Sequence, residues 1–342
     1  FFDLGGHSLI AVRLFAMIRK AWATDFPISV LFEAPTIAAC AALIEARIGP
    51  QDSTAAPAVP QRRFTHLVPM HQGEGGAQRP FFLVAGMFGN VLNLRHLAQL
   101  IGSDRPFYGL QARGLYGNEQ PHTDFVSAAR DYIAEMRQVQ PHGPYLVGGF
   151  SGGGLIAWEI ARQLEEAGEV VAQVILLDTP LPMRPELTRK DKALIKLAEF
   201  RRKGLGYALE WWRARQAWKA QQGQTQAEAQ GHQLHNAAIE AAFRAALPVY
   251  QLHRWQGRVA LFRPALDRHW QVSGGQWVSA AKEYVYPDNQ WTPFAPALEV
   301  VEVPGDHDSM VLEPNVRVLA ARIRKMLDAA ETGAKPLREA AE

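Results

Sequence analysis

The chain has 342 residues, room for about two domains, and its 48% hydrophobic and 20% charged residues exclude a globally disordered protein. Its 36 Lys and Arg against 34 Asp and Glu leave a formal charge of +2, which argues against a dedicated nucleic-acid binder. A single cysteine, Cys40, excludes an internal disulfide framework and fits a reducing, cytoplasmic compartment. With no run of about 18 apolar residues, no transmembrane helix and no membrane partner are expected. The chain starts at Phe1 with no basic-then-apolar leader, so it reads as a piece of something longer.

Residues 1–48 have a helical pattern. After Gly5-Gly6-His7-Ser8, the apolar residues Ile10, Leu14, Met17 and Ile18 recur at helical spacing. Pro27 and Pro35 break the pattern. Thr36 is placed to cap a second helix that carries Ile37, Cys40, Ala41 and Ile44. Residues 49–63 hold three prolines among small polar residues, with no apolar period, and read as a semi-extended linker.

From residue 64 the rhythm changes. Short apolar runs at 81–85, 145–147, 174–177, 259–262 and 298–303 read as strands. Helical stretches separate several of them; one carries Phe125, Ala129, Tyr132, Ile133 and Met136 on one stripe. Alternation of this kind implies an α/β fold, a mostly parallel sheet with helices on both faces. The last helix is expected from Glu313-Pro314 to about Ala330, with a frayed tail at 332–342. The stretch 182–247 breaks the alternation and reads as an inserted helical lid. Between Arg184 and Lys219 it holds eleven Lys and Arg against four Asp and Glu, which reads as a solvated amphipathic helix pair or, more sharply, as a basic side that attracts a phosphate group.

The most informative segment is Gly149-Phe150-Ser151-Gly152-Gly153, a G-x-S-x-G sequence. An apolar strand precedes it, and a helix follows with Ile156, Ala157, Ile160, Ala161 and Leu164 on its stripe. A serine on so tight a turn projects its hydroxyl, and flanking glycines remove the Cβ atoms that would clash. The bland alternative is an ordinary serine N-cap. A nucleophilic serine needs a base held by an acid, in the chain order Ser, then Asp or Glu, then His. His307 follows the strand 298–303 in a Gly-Asp-His turn and is the candidate base. With no second histidine at ligand spacing, a metal role for His307 beside Asp306 and Asp308 is the weaker reading, and no metal is expected. Two acids compete: Asp178, at the end of 174–177, and Asp267, after 259–262. Position alone leaves both open. The glycine-rich turn Gly86-Met87-Phe88-Gly89 can supply one oxyanion N–H from Met87, and Gly152 supplies the other.

The segment Phe1-Phe2-Asp3-Leu4-Gly5-Gly6-His7-Ser8-Leu9 resembles the phosphopantetheine attachment motif of peptidyl carrier domains in nonribosomal peptide synthetases. Residues 64–331 resemble the terminal type I thioesterase domain of such enzymes, an α/β-hydrolase with a helical lid. The resemblance implies a covalent 4'-phosphopantetheine on Ser8 and a partial carrier domain at 1–48 whose first helix would precede Phe1. It also implies Ser151 as nucleophile, His307 as base and Asp178 rather than Asp267 as the acid. The implied activity is release of an acyl or peptidyl chain from the carrier thioester, by hydrolysis or cyclisation. Implied partners are the upstream synthetase modules, a phosphopantetheinyl transferase and the thioester substrate, with no nucleic acid and no membrane. The rival readings are a stand-alone serine esterase or lipase and a non-catalytic docking module.

Overall fold

The runs of β-branched and aromatic residues become nine strands among the described residues: β1 (Leu67–His71), β2 (Phe81–Val84), β3 (Phe107–Leu110), β4 (Tyr145–Phe150), β5 (Val171–Leu177), β6 (Val259–Pro264), β7 (Trp270–Gln271), β8 (Trp277–Val278) and β9 (Leu298–Val303). Nine α-helices accompany them among the described residues: α1 (Ser8–Trp22), α2 (Val30–Glu33), α3 (Ile37–Ile48), α4 (Arg95–Ile101), α5 (Phe125–Val139), α6 (Gly153–Glu166), α7 (Arg189–Lys203), α8 (Ala237–Ala246) and α9 (Val316–Glu331). The structure is a computed structural model that describes residues 8–24, 29–48, 64–71, 78–102, 104–115, 119–204 and 237–333, with positions 1, 4, 6, 26 and 73. The expected linker 49–63, the lid segment 205–236 and the tail beyond Gly333 lie outside the described residues.

Seven strands form one sheet in the order β1-β3-β2-β4-β5-β6-β9, with only β1 antiparallel to its neighbour. The order reverses between β2 and β4. In open α/β sheets the crevice outside the carboxyl ends at such a reversal is where ligands bind. The expected stripe of α5 (Phe125, Ala129, Tyr132, Ile133 and Met136) is buried on one face with Leu155 and Trp158 of α6. Leu97 and Ile101 of α4 cover the other face with Leu319, Ile323 and Leu327 of α9. Asp124 fixes the start of α5 by accepting the Ser127 N–H at 2.7 Å.

Several features depart from sequence pattern for local reasons. Pro69 interrupts β1, which sits at the sheet edge where a missing N–H is tolerated, and β3 is four residues long with Gly109 inside it. Neither run alternates long enough to be read as a strand. In α1 the buried face is Ala11, Phe15 and Ile18, whereas Ile10 and Met17 are exposed. Thr36 caps α3 as its position suggests, accepting the Ala39 N–H at 3.1 Å. The last helix begins at Val316, after a short 3-10 turn at Ser309–Val311. No helix among the described residues is long and apolar enough to cross a membrane.

The chain divides into two compact units. The larger holds the seven-stranded sheet; the smaller comprises Met183–His235 and Leu266–Gln290. The smaller unit therefore adds the β7–β8 hairpin to the stretch read as a lid, while 237–247, at the end of that stretch, belongs to the larger unit. Its core is Leu187, Ile195, Val272 and Val278. Asp191 ties it together: its carboxylate accepts the Ser273 N–H at 3.0 Å, the Thr188 hydroxyl at 2.6 Å and the Tyr284 hydroxyl at 2.6 Å. Hydrogen bonding from Ser273, then Thr188 and Tyr284, holds this carboxyl well below the usual carboxylate range. A depressed folded value contributes stability that is present above the unfolded value near 3.9 and is lost as pH falls through the folded one. Asp191→Ala is accordingly expected to lower the melting temperature by a few degrees at pH 7. The gap from wild type should hold between about pH 5 and 8 and shrink below about pH 4. Calorimetry across that range checks it; a gap that is absent at pH 7, or that widens in acid, rejects the role given to Asp191.

Candidate active site

Strand β4 is buried along its whole length and hydrogen-bonded on both sides, so its carboxyl end is a fixed platform. Ser151 follows it directly. The Ser151 N–H continues the ladder, donating to the Leu177 carbonyl at 2.8 Å, and then the backbone turns sharply at φ +52°. Left-handed backbone costs an L-residue roughly 1–2 kcal/mol, an investment found at sites where a side chain must be presented. The chain folds back at once into α6. A Cβ on Gly149 would collide with the Gly153 backbone, and one on Gly153 with the Ala85 carbonyl. Only glycine allows strand, turn and helix to approach this closely.

Asp178 stands in the matching place after β5, also at positive φ (+44°), with its N–H donating to the Phe262 carbonyl at 2.7 Å. His307 lies in the turn after β9. Because β4, β5 and β9 are all parallel, their carboxyl ends share one edge of the sheet, and the three side chains meet there. His307 Nε2 is 2.9 Å from Ser151 Oγ, and His307 Nδ1 is 2.8 Å from Asp178 Oδ2. Asp267, the other acid left open by position, accepts the Ala280 N–H at 2.7 Å within the smaller unit.

Two supports of His307 were not visible in the sequence. The Phe150 ring stacks on the imidazole at 5.4 Å between centroids, with 25° between planes. Asp306 knots the turn: Oδ1 accepts the Ser309 N–H at 2.8 Å and the Ser309 hydroxyl at 2.7 Å. These bonds hold the Asp306 carboxyl below its ordinary value. Asp306 thus has a local role in the turn, and the sequence signal that could have found the knot is the D-x-x-S spacing of a capping turn.

The Gly86–Gly89 turn follows β2, next to β4. A Cβ on Gly86 would lie 3.6 Å from Ser151 Cβ, which places the turn alongside the hydroxyl-bearing residue. Among the described residues neither the Met87 nor the Gly152 backbone N–H has a hydrogen-bond partner, the condition for donors that await a developing oxyanion. Phe243 of α8 lies against Gly152, and Ile239, one turn earlier, lies 3.2 Å from where a Cβ on Gly89 would sit. Helix α8 thus lies beside both glycine turns, and nothing in sequence pattern links it to them.

Ser8 is the first residue of α1, a 15-residue helix with no acid in its first turn. The start of a helix with no acid in its first turn favours an anionic group, which is the charge a phosphopantetheine phosphodiester carries.

Comparison with known proteins gives the family. The family model of the thioesterase domain matches residues 79–307, and that of the phosphopantetheine attachment site matches residues 1–44. Chondramide synthase cmdD of Chondromyces crocatus is 31% identical over 354 residues, covering 96% of this chain and 8% of that protein. Indigoidine synthase of Dickeya dadantii is 38% identical over 201 residues, 58% of this chain and 12% of that protein. Malpinin synthetase of Mortierella alpina is 40% identical over 184 residues, 54% of this chain and 2% of that protein. The chain thus spans a small fraction of the length of these relatives. Among solved structures, a four-domain holo nonribosomal peptide synthetase bound to AMP and glycine aligns with a TM-score of 0.56 at 23% identity, over 95% of this chain and 24% of that one. The NocB thioesterase domain, in covalent complex with a fluorophosphonate nocardicin G analog, aligns with a TM-score of 0.53 at 20% identity, over 77% of this chain and 100% of that one. These two likenesses carry the fold, an α/β-hydrolase. By the match over 79–307, more than half its length, the chain belongs to the thioesterase domain family, and its residues 1–44 match a phosphopantetheine attachment site.

Proposed function

We propose that this chain releases an acyl or peptidyl group from a carrier thioester through an acyl-enzyme on Ser151, as the last step of a nonribosomal peptide assembly line. The observation that carries the reading is the continuous hydrogen-bonded line from Ser151 Oγ through His307 to Asp178, in a chain that also holds a phosphopantetheine attachment region. When attached to Ser8, the phosphopantetheine arm presents the acyl group as a thioester.

His307 Nε2 takes the Ser151 hydroxyl proton as Oγ attacks the thioester carbonyl carbon. Asp178 holds the Nδ1 side of the ring, fixes the tautomer and stabilises the imidazolium. The Met87 and Gly152 N–H groups receive the negative charge that grows on the carbonyl oxygen. The oxyanion collapses, the C–S bond breaks, and the sulfur leaves with the proton that His307 held. A second nucleophile, water or an amine or hydroxyl of the acyl chain itself, then loses its proton to His307 Nε2 and attacks the ester carbon. The bond to Ser151 Oγ breaks and Oγ recovers the proton. Water gives a free acid, and an internal nucleophile gives a ring. The partners in this scheme are the upstream modules and a phosphopantetheinyl transferase.

The test is intact mass after incubation with a phosphopantetheinyl transferase and an acyl-coenzyme A. Wild type should gain the acylated arm and then lose the acyl group; Ser8→Ala should gain nothing; Ser151→Ala should keep the acyl group on the arm. Product analysis distinguishes acid from ring. Modification of Ser8→Ala, or an acyl group retained indefinitely by wild type across a panel of chain types, would reject the scheme.

A further inference from the structure

Three ligand-type side chains converge on residues that no step above uses. His66 lies just ahead of β1, His122 just ahead of α5, and Asp131 on α5 itself. Their ligand atoms all lie within 4.8 Å of one another. His122 Nε2 is 2.8 Å from Asp131 Oδ2. His66 is 5% exposed, and its Nδ1 is buried with no hydrogen-bond partner. A buried nitrogen left without a partner is costly, and such atoms in folded proteins call for an explanation, an absent ion among them.

The residues are held from several directions. The His66 N–H donates to Glu135 Oε2 at 2.8 Å, as part of a clamp in which the Glu135 carboxylate also accepts the Thr65 and Leu67 N–H groups. The His66 carbonyl accepts the Gln111 N–H at 2.9 Å. The His66 ring lies against Tyr132, with centroids 5.2 Å apart, and against His122, at 5.4 Å. Asp131 is 38% exposed, which gives an ion a route from solvent. Arg113 Nη1, 3.2 Å from Asp131 Oδ2, competes for that carboxylate and sets the affinity below that of a closed structural zinc site.

We propose that His66, His122 and Asp131 bind one divalent transition-metal ion, Zn²⁺ by preference, as a clasp between the start of β1 and helix α5. Two imidazoles and a carboxylate are the donors of a borderline ion of this class. With metal–ligand bonds of about 2.0–2.2 Å, tetrahedral donors stand about 3.3 Å apart. An ion that replaces the proton between His122 and Asp131 therefore opens that contact slightly, and a bond to His66 through Nδ1 would give that nitrogen the partner it lacks. The fourth position is left to water. The donors come from positions 66, 122 and 131, so no short ligand motif announces them.

The experiment is a Co²⁺ titration of chelator-treated protein followed by absorption, with competition by Zn²⁺ and melting curves with and without Zn²⁺. The expected result is one equivalent of Co²⁺ with tetrahedral-type visible bands, displacement by Zn²⁺, and a higher melting temperature with Zn²⁺. His122→Ala and Asp131→Asn should each weaken binding at least about tenfold, with folding checked by circular dichroism. His307→Ala should bind as wild type does, which separates this site from the Asp306–Asp308 turn. Absence of stoichiometric binding to wild type, or undiminished binding by folded His122→Ala and Asp131→Asn, overturns the proposal.

Discussion

Ser151→Ala is expected to slow release from a model acyl thioester by at least about a thousandfold, and by up to roughly a millionfold if the triad acts as a unit. The substitution removes the oxygen that lies 2.9 Å from His307 Nε2 and leaves the sheet, the turn and the neighbouring N–H groups in place. Any residual rate is expected from water attacking a thioester whose carbonyl the proposed donors, the Met87 and Gly152 N–H groups, still polarise. The same variant should no longer be labelled by a fluorophosphonate probe. Steady-state rates with a small thioester, together with probe labelling, check it; a rate within tenfold of wild type would remove Ser151 from the mechanism.

The second large effect belongs to the acid. Asp178→Asn is expected to lower kcat by on the order of 10⁴, because an amide can present N–H to Nδ1 and hold the imidazole in the wrong tautomer. Asp267→Asn should change kcat less than about twofold. Its carboxylate accepts the Ala280 N–H in the smaller unit, and an amide oxygen can still accept that bond. Rates for the pair over a range of pH decide between them, and the reverse ranking would show that His307 is oriented from elsewhere.

Two members of this line, Ser151 and His307, were readable in the sequence for a local reason. A strand, a G-x-S-x-G turn and a helix lie within some twenty residues, so Ser151 carries its own context. His307 sits in a compact turn after an apolar strand. The acid was different: Asp178 and Asp267 both follow strands, and only the resemblance to thioesterases preferred Asp178. The geometry separates them through sheet order, which brings β5 next to β4 and which no local pattern encodes. The stacking of Phe150 on His307 and the approach of Phe243 to Gly152 are products of the same long-range assembly. Hydrophobic periodicity found the central strands and α5 but missed β1 and β3, where a proline and a glycine disturb runs of five and four residues. It also placed the inserted region too simply, because α7 shares its core with a hairpin some seventy residues further on.

The backbone at two of the three proposed catalytic positions has a consequence for how this protein responds to change. Ser151 at φ +52° and Asp178 at φ +44° occupy conformations that glycine adopts freely and asparagine tolerates well. Ser151→Gly should therefore relax the fold while abolishing the proposed chemistry, gaining on the order of 1 kcal/mol from the turn itself. Selection for thermal robustness alone would drift toward inactive sequences at these positions. A stabilised variant of this chain is best sought at positions far from the carboxyl edge of the sheet, where rigidity and turnover do not compete.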